Sequence, residues 1–152
     1  MIGGMKMSKP LVDSVNVQVA NLTVLYEKLH HYHWFVKGHH FFILHEKFEE
    51  LYNEITTTLD EVAERLLIIG EKPLSTLKDC LETATIQEAS GNEQTEQEMV
   101  QAVIDDFEKM IAEITQTIAL AEKANDEGTA DIFIGITESL GKHVWMLKAF
   151  LG

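Results

Sequence analysis

A single cysteine, Cys80, stands among 152 residues, so no disulfide can form within the chain, and a reducing cytoplasm is the expected setting. Two prolines and nine glycines are few breakers for this length, which leaves room for long helices. Basic residues are also scarce: 12 lysines and arginines face 25 aspartates and glutamates, a formal charge of −13. So acidic a surface repels phosphate backbones. Met1–Pro10 carries only Lys6 and Lys9, too little charge for a DNA-binding arm, so direct DNA binding is expected to be weak or absent. The acidity suits either plain solubility or the attraction of cations, and composition alone leaves both open. No apolar run approaches the ~18 residues that span a bilayer, and no membrane association is expected. Met1–Pro10 has no apolar stretch of the signal-peptide kind.

What is present is helical periodicity. Residues 1–152 have the size of one domain, with 1–10 read as a flexible N-terminal segment. Val15, Val19, Leu22, Tyr26 and Leu29 alternate spacings of four and three, one face of a first helix that Gly38 stops. A second runs from about Phe41 to Ile69, with its stripe at Leu44, Phe48, Leu51, Ile55, Leu59, Val62 and Leu66, and closes at Gly70 and Pro73. A long connection, Gly70–Gln94, holds a short candidate helix around Ser75–Leu81. Thr95 and Glu98 form a capping-box pair that opens a third long helix, striped by Met99, Val103, Phe107, Met110, Ile114 and Ile118. A fourth, about Thr129–Phe150, is expected to bury Ile132, Ile136, Leu140, Val144 and Leu147. No strand-like alternation, repeat or low-complexity tract competes.

Loop lengths fix the topology. Short links make antiparallel hairpins of the first and last helix pairs, while the middle connection is long enough to travel a helix length. The second and third long helices can then lie parallel. The expected fold is all-α: a ferritin-like four-helix bundle with one long crossover carrying a short helix between helices 2 and 3.

Chemistry-bearing residues concentrate on the second helix. His45 and Glu49 are spaced i,i+4, as are Asp60 and Glu64, and all four lie on one shoulder beside the core stripe. Within one chain the pairs cannot share an ion, because the 11 residues from Glu49 to Asp60 span about 16 Å. The midpoint of His45 and Glu64 and that of Glu49 and Asp60 coincide, however, between Glu54 and Ile55. Two copies of this helix crossing antiparallel at that point bring His45 to Glu64 and Glu49 to Asp60, which gives two equivalent inter-subunit metal sites per dimer. The plainer alternative is a set of solvated charge pairs. Mixed imidazole and carboxylate donors suit Fe, Mn or Zn better than Mg or Ca. His33 continues the first helix's apolar face and reads as a core residue or as a ligand. His30, His31, His39 and His40 crowd the first turn and are expected to be mostly exposed; His143 reads as structural, or as a capping or interface group.

The run His33-Trp34, Gly38, Phe42, Leu44-His45-Glu46, then Asp60-Glu61 and Ala63-Glu64-Arg65, with Lys142–Phe150 at the close, resembles the Dps family of mini-ferritins. The specific motif is two histidines twelve apart, with D-x-x-x-E beginning fifteen residues after the second. The likeness extends from about Asp13 to the end and is greatest to the Gram-positive branch, which lacks a lysine-rich arm. It implies ferroxidase ligands at His33, His45 and Glu49 of one subunit and at Asp60 and Glu64 of its two-fold mate, with two iron positions that Zn or Mn could fill. Many members carry aspartate where this chain has Glu49, so the longer arm bears on the second metal position. The resemblance further implies a dodecameric homo-oligomer that oxidises Fe(II), preferably with hydrogen peroxide over oxygen, and stores the ferric product. Trp34 matches a tryptophan that either accepts oxidising equivalents as an electron donor or packs an interface. Glu122, Asp126, Glu127 and Asp131 fall where the family places its acidic iron pore, with solvated loop acids as the rival reading.

Three other readings are weaker. A bundle with its di-iron site inside one chain needs E-x-x-H on two helices, and this chain has only Glu27 to His30. A histidine phosphotransfer domain would use H-x-x-K-G, but Lys37-Gly38 sits one residue too far from His33. A purely structural DNA-compacting shell conflicts with the charge.

Overall fold

The computed structural model describes residues 8–152, and Met1–Met7, most of the segment read as flexible, lie outside the described residues. The elements are α1 (Lys9–Phe35), α2 (Phe41–Ile68), α3 (Leu77–Thr83), α4 (Glu96–Lys123) and α5 (Glu127–Leu151). Of the three remaining residues of that segment, Lys9 and Pro10 belong to α1. Ser8 caps the helix by accepting from the Leu11 N–H, and Pro10 sits in the first turn, where its missing N–H costs nothing.

Side-chain pairs give the directions. Ser14 meets Thr117, Gln18 and Asn21 meet Glu113, and Lys28 meets Asp106, so α1 and α4 run antiparallel. Glu54 meets Ser139 and His143, while Arg65 meets Asp126 and Thr129, so α2 and α5 also run antiparallel. With each hairpin antiparallel, α2 and α4 are parallel. The segment between them runs beside α1: Asn16 holds Lys72 and Leu74, Asn21 holds Thr85 and Ile86, and Lys28 holds Gln87. These are the one-crossover bundle and short crossover helix that the sequence predicts.

Helix ends follow local chemistry. The α2 terminus closes with Glu71 N–H on Leu66 C=O and Gly70 N–H on Leu67 C=O, a Schellman pattern with Gly70 at φ 85°. Asn125, at φ 58°, does the same between α4 and α5. The predicted Thr95–Glu98 capping box is present in both directions.

The core is one cluster drawn from all four long helices, with Phe48, Phe107, Phe133 and Leu25 fully enclosed. The α2 stripe is buried as predicted except Leu59, which is half-buried, as is Ile118 on α4. Two expectations are corrected. Tyr26 is 40% exposed, its ring laid against His30 and Tyr52 at the bundle surface. On α5 the enclosed residue is Phe133, while Ile132 and Ile136 are half-buried to either side. Among the described residues no helix is long and apolar enough to cross a membrane.

Candidate metal centre

The α1–α2 hairpin brings His33 and His45 face to face. Their rings stack with centroids 3.7 Å apart and planes within 12°. Each Nδ1 lies against the other residue's backbone carbonyl, at 2.6 Å from His45 O and 2.7 Å from His33 O. A carbonyl can only accept, so both rings carry a proton on Nδ1, which makes Nε2 the nitrogen of each ring that a metal ion could take. Metal-bound histidines characteristically donate their second nitrogen to a carbonyl or carboxylate in this way.

Packing holds the pair. Tyr52 meets His33 edge-on at 5.4 Å, Phe41 stacks on His45 at 5.0 Å, and His30 stacks on Tyr52 at 3.6 Å. His33 is buried and His45 half-buried. Glu49, half-exposed one turn beyond His45, places Oε1 3.8 Å from His33 Nε2. Two donors at that separation can share an ion that sits about 2.1 Å from each.

Asp60 and Glu64 stand apart from this group. Both are exposed on the far half of α2, and among the described residues neither has an ion-pair or side-chain hydrogen-bond partner in the chain. Among the described residues, no three His, Cys, Asp or Glu side chains of one chain gather closely enough to cage a metal. One protomer therefore offers an incomplete donor set. Trp34 is 61% exposed, and its ring lies on His30, 5.4 Å away, on the outer face of α1.

The acidic group between α4 and α5 divides. Glu122, Glu127 and Asp131 are exposed. Asp126 is not available as a pore lining, which corrects that expectation. It is 5% exposed and caps α5, accepting from Thr129 N–H and ion-pairing Arg65 Nη2 at 2.7 Å. Burial pushes its carboxyl up, but the Thr129 and Arg65 hydrogen bonds outweigh that and hold it below its ordinary value.

At the midpoint of α2, Glu54 accepts from Ser139 Oγ at 2.6 Å and from His143 Nε2, so His143 is a structural tie between α5 and α2. Burial raises the Glu54 carboxyl, and the Ser139 and His143 hydrogen bonds more than reverse it. The sequence offers no local signal for this pairing, since its members stand 85 and 89 residues apart. His39 and His40 are exposed, whereas His30 and His31 are half-buried under neighbouring rings.

Comparison with known proteins agrees with this fold. A ferritin-like domain model matches residues 12–152. The general stress protein 20U of Bacillus subtilis is 55% identical over 146 residues, 96% of this chain and 100% of that protein. DNA protection during starvation protein 2 of Bacillus anthracis is 50% identical over 95% of this chain and 99% of its own. Among solved structures, a Dps protein from Bacillus brevis superposes with a TM-score of 0.92 at 49% identity, covering 95% of this chain and 96% of that one. Dps from Listeria innocua, solved after soaking with zinc, matches at 44% identity and TM-score 0.89, covering 93% and 96%. A Dps from Vibrio cholerae, described as a ferritin-like diiron-carboxylate protein, matches at 32% and 0.91, covering 96% and 91%. With the fold, the paired histidines and these likenesses in agreement, the chain belongs to the Dps family of ferritin-like proteins.

Proposed function

We propose that this protein is a ferroxidase and iron-storage mini-ferritin of the cytoplasm, which oxidises Fe(II) at sites shared between two-fold-related subunits and keeps the ferric mineral in a hollow homododecamer. The observation that carries the reading is the locked histidine pair, two imidazoles oriented by each other's carbonyls with Nε2 free beside Glu49. His33, His45 and Glu49 of one protomer supply one side of the site. Asp60 and Glu64 of the partner subunit supply the other, because copies of α2 crossing antiparallel near Glu54 juxtapose them. That neither acid has a partner among the described residues supports this, as does the diiron-carboxylate description of the Vibrio relative.

Iron is the substrate, with two positions per site. Mixed nitrogen and oxygen donors bind Fe(II) and also admit Zn or Mn. Each of two Fe(II) ions gives one electron to one hydrogen peroxide. The O–O bond breaks, and two protons from solvent complete two water molecules, so no hydroxyl radical is released. The residues' work is to hold both ions within reach of one oxidant, which is peroxide in preference to oxygen. Trp34 is assigned as an electron donor at the margin of the site, linked to His33 through His30 and Tyr52. Glu122, Glu127 and Asp131 are assigned to the iron pore. DNA is protected by removal of iron and peroxide, without contact.

The test exploits the shared site. His33→Ala and Asp60→Ala should each lose rapid Fe(II) oxidation while the shell assembles. Co-assembling equal amounts of the two variants should restore about a quarter of the parental rate. Half of random dimers are mixed, and each mixed dimer holds one intact site of two. No recovery on mixing would refute the inter-subunit centre.

A further inference from the structure

The turn that joins the two histidine-bearing helices is gripped by a buried acid from the other hairpin. Glu96, in the first turn of α4, is 7% exposed, and among the described residues its only ion-pair partner is His40. One carboxylate oxygen, Oε2, accepts from the His40 backbone N–H at 3.0 Å and lies 3.0 Å from His40 Nδ1. The other, Oε1, presses on Gly38, where a Cβ would come within 2.1 Å of it; Gly38 also holds φ 132°. The His40 ring in turn meets Phe150 of α5 edge-on at 5.2 Å. Helix capping does not explain Glu96, because Thr95 and Glu98 already fill that role. A buried carboxylate without a lysine or arginine is costly to keep, and a polar hydrogen bond to a turn is what it obtains in return.

The position of this grip matters because His33 lies three residues before Val36 and His45 five after His40. Their reciprocal Nδ1 bonds need α1 and α2 in one register at this end. We propose that Glu96 is a positioning residue of the iron site, clamping the α1–α2 turn so that His33 and His45 keep the ring orientations that present Nε2 to the site. The inference rests on the iron-site reading above and adds to it a control exerted from α4.

Cobalt(II) chloride titrated into the assembled protein, followed by calorimetry and visible absorption, is the test. Glu96→Ala should weaken Co(II) binding about tenfold, at the lower edge of losses seen when groups supporting metal-bound histidines are removed. Glu96→Gln, whose amide oxygen can still accept the His40 N–H, should recover most of the affinity. Thr95→Ala is the control: it loses the neighbouring cap and destabilises α4 but leaves the turn alone, so it should bind like the parent. Parental affinity in Glu96→Ala, or equal weakening in Thr95→Ala, would overturn the proposal. If Glu96→Ala does not assemble, His40→Ala carries the test, with about threefold weaker binding expected and parental affinity again overturning it. Failure of the iron-site reading has a different signature: Co(II) binding that His33→Ala leaves unchanged.

Discussion

The two ends of α2 carry equal shares of the proposed ligands but are finished to different degrees. At the N-terminal end His45 is stacked on His33, hydrogen-bonded to its backbone and flanked by Phe41. At the C-terminal end Asp60 and Glu64 stand in solvent without partners among the described residues. Both ends are nonetheless anchored to the second hairpin, one through His40 and Glu96, the other through Arg65 and Asp126. On the proposed reading, the chain would complete the histidine side of its centre by folding and leave the Asp60 and Glu64 side to be completed by association. Imidazoles need their second nitrogen and ring plane fixed to bind in a chosen direction, whereas a carboxylate on a rigid helix needs only to be brought near.

The largest expected effect tests whether the unequal ends act equally. His45→Ala and Glu64→Ala should each slow Fe(II) oxidation on the order of 100-fold, since loss of a ligand should cost at least what loss of its supporting group does. A stopped-flow assay that finds only the histidine variant impaired would break the symmetry of the site. Next in size is the anchorage of the bare end. Asp126→Ala removes a helix cap and leaves Arg65 without its carboxylate partner, so unfolding should become easier by about 2–3 kcal/mol in urea titrations. A third measurement separates binding from folding. His45→Ala should lower stability by about 1–2 kcal/mol through one lost hydrogen bond and the lost ring stacking on His33 and Phe41, while Asp60→Ala should stay within about 0.5 kcal/mol of the parent. Equal losses in the two would show that the acid end is not bare.

The smallest effect is one of pH. Burial raises the Glu93 carboxyl, but hydrogen bonds from Ser90 and from the buried Tyr32 hydroxyl, 2.7 Å away, bring it from its ordinary 4.5 down to about 2. A depressed folded-state value means that stability is present above pH 4.5 and is lost as pH falls towards about 2. Glu93→Gln should flatten thermal stability across that acid window, its loss relative to the parent being greatest at neutral pH and shrinking as pH nears 2.

Helical period was enough to read α2 and α4 from the sequence, because their apolar stripes are long and regular. Gly70 and the Thr95–Glu98 box likewise marked true helix ends. Period failed at Tyr26 and at Ile132 and Ile136, which lie on flanks of their helices where a rotation of a few tens of degrees decides burial. The grip of Glu96 on His40, the Glu54 tie to His143 and the capping role of Asp126 were invisible for a different reason. Each joins residues of separate hairpins, and spacing along one helix carries no information about a partner more than 50 residues away. The fifteen-residue gap between His45 and Asp60 was legible as a pattern, while its meaning depends on a second copy of the chain.

The mutual carbonyl bonds of His33 and His45 bear on speed as much as on affinity. Because neither ring is free to spin, the rotational freedom an open imidazole would forfeit on capture has already been surrendered when the hairpin forms. On the proposed iron-site reading, an arriving ferrous ion would meet a jaw that is already set, and its residence would begin at first contact without a search by the side chains.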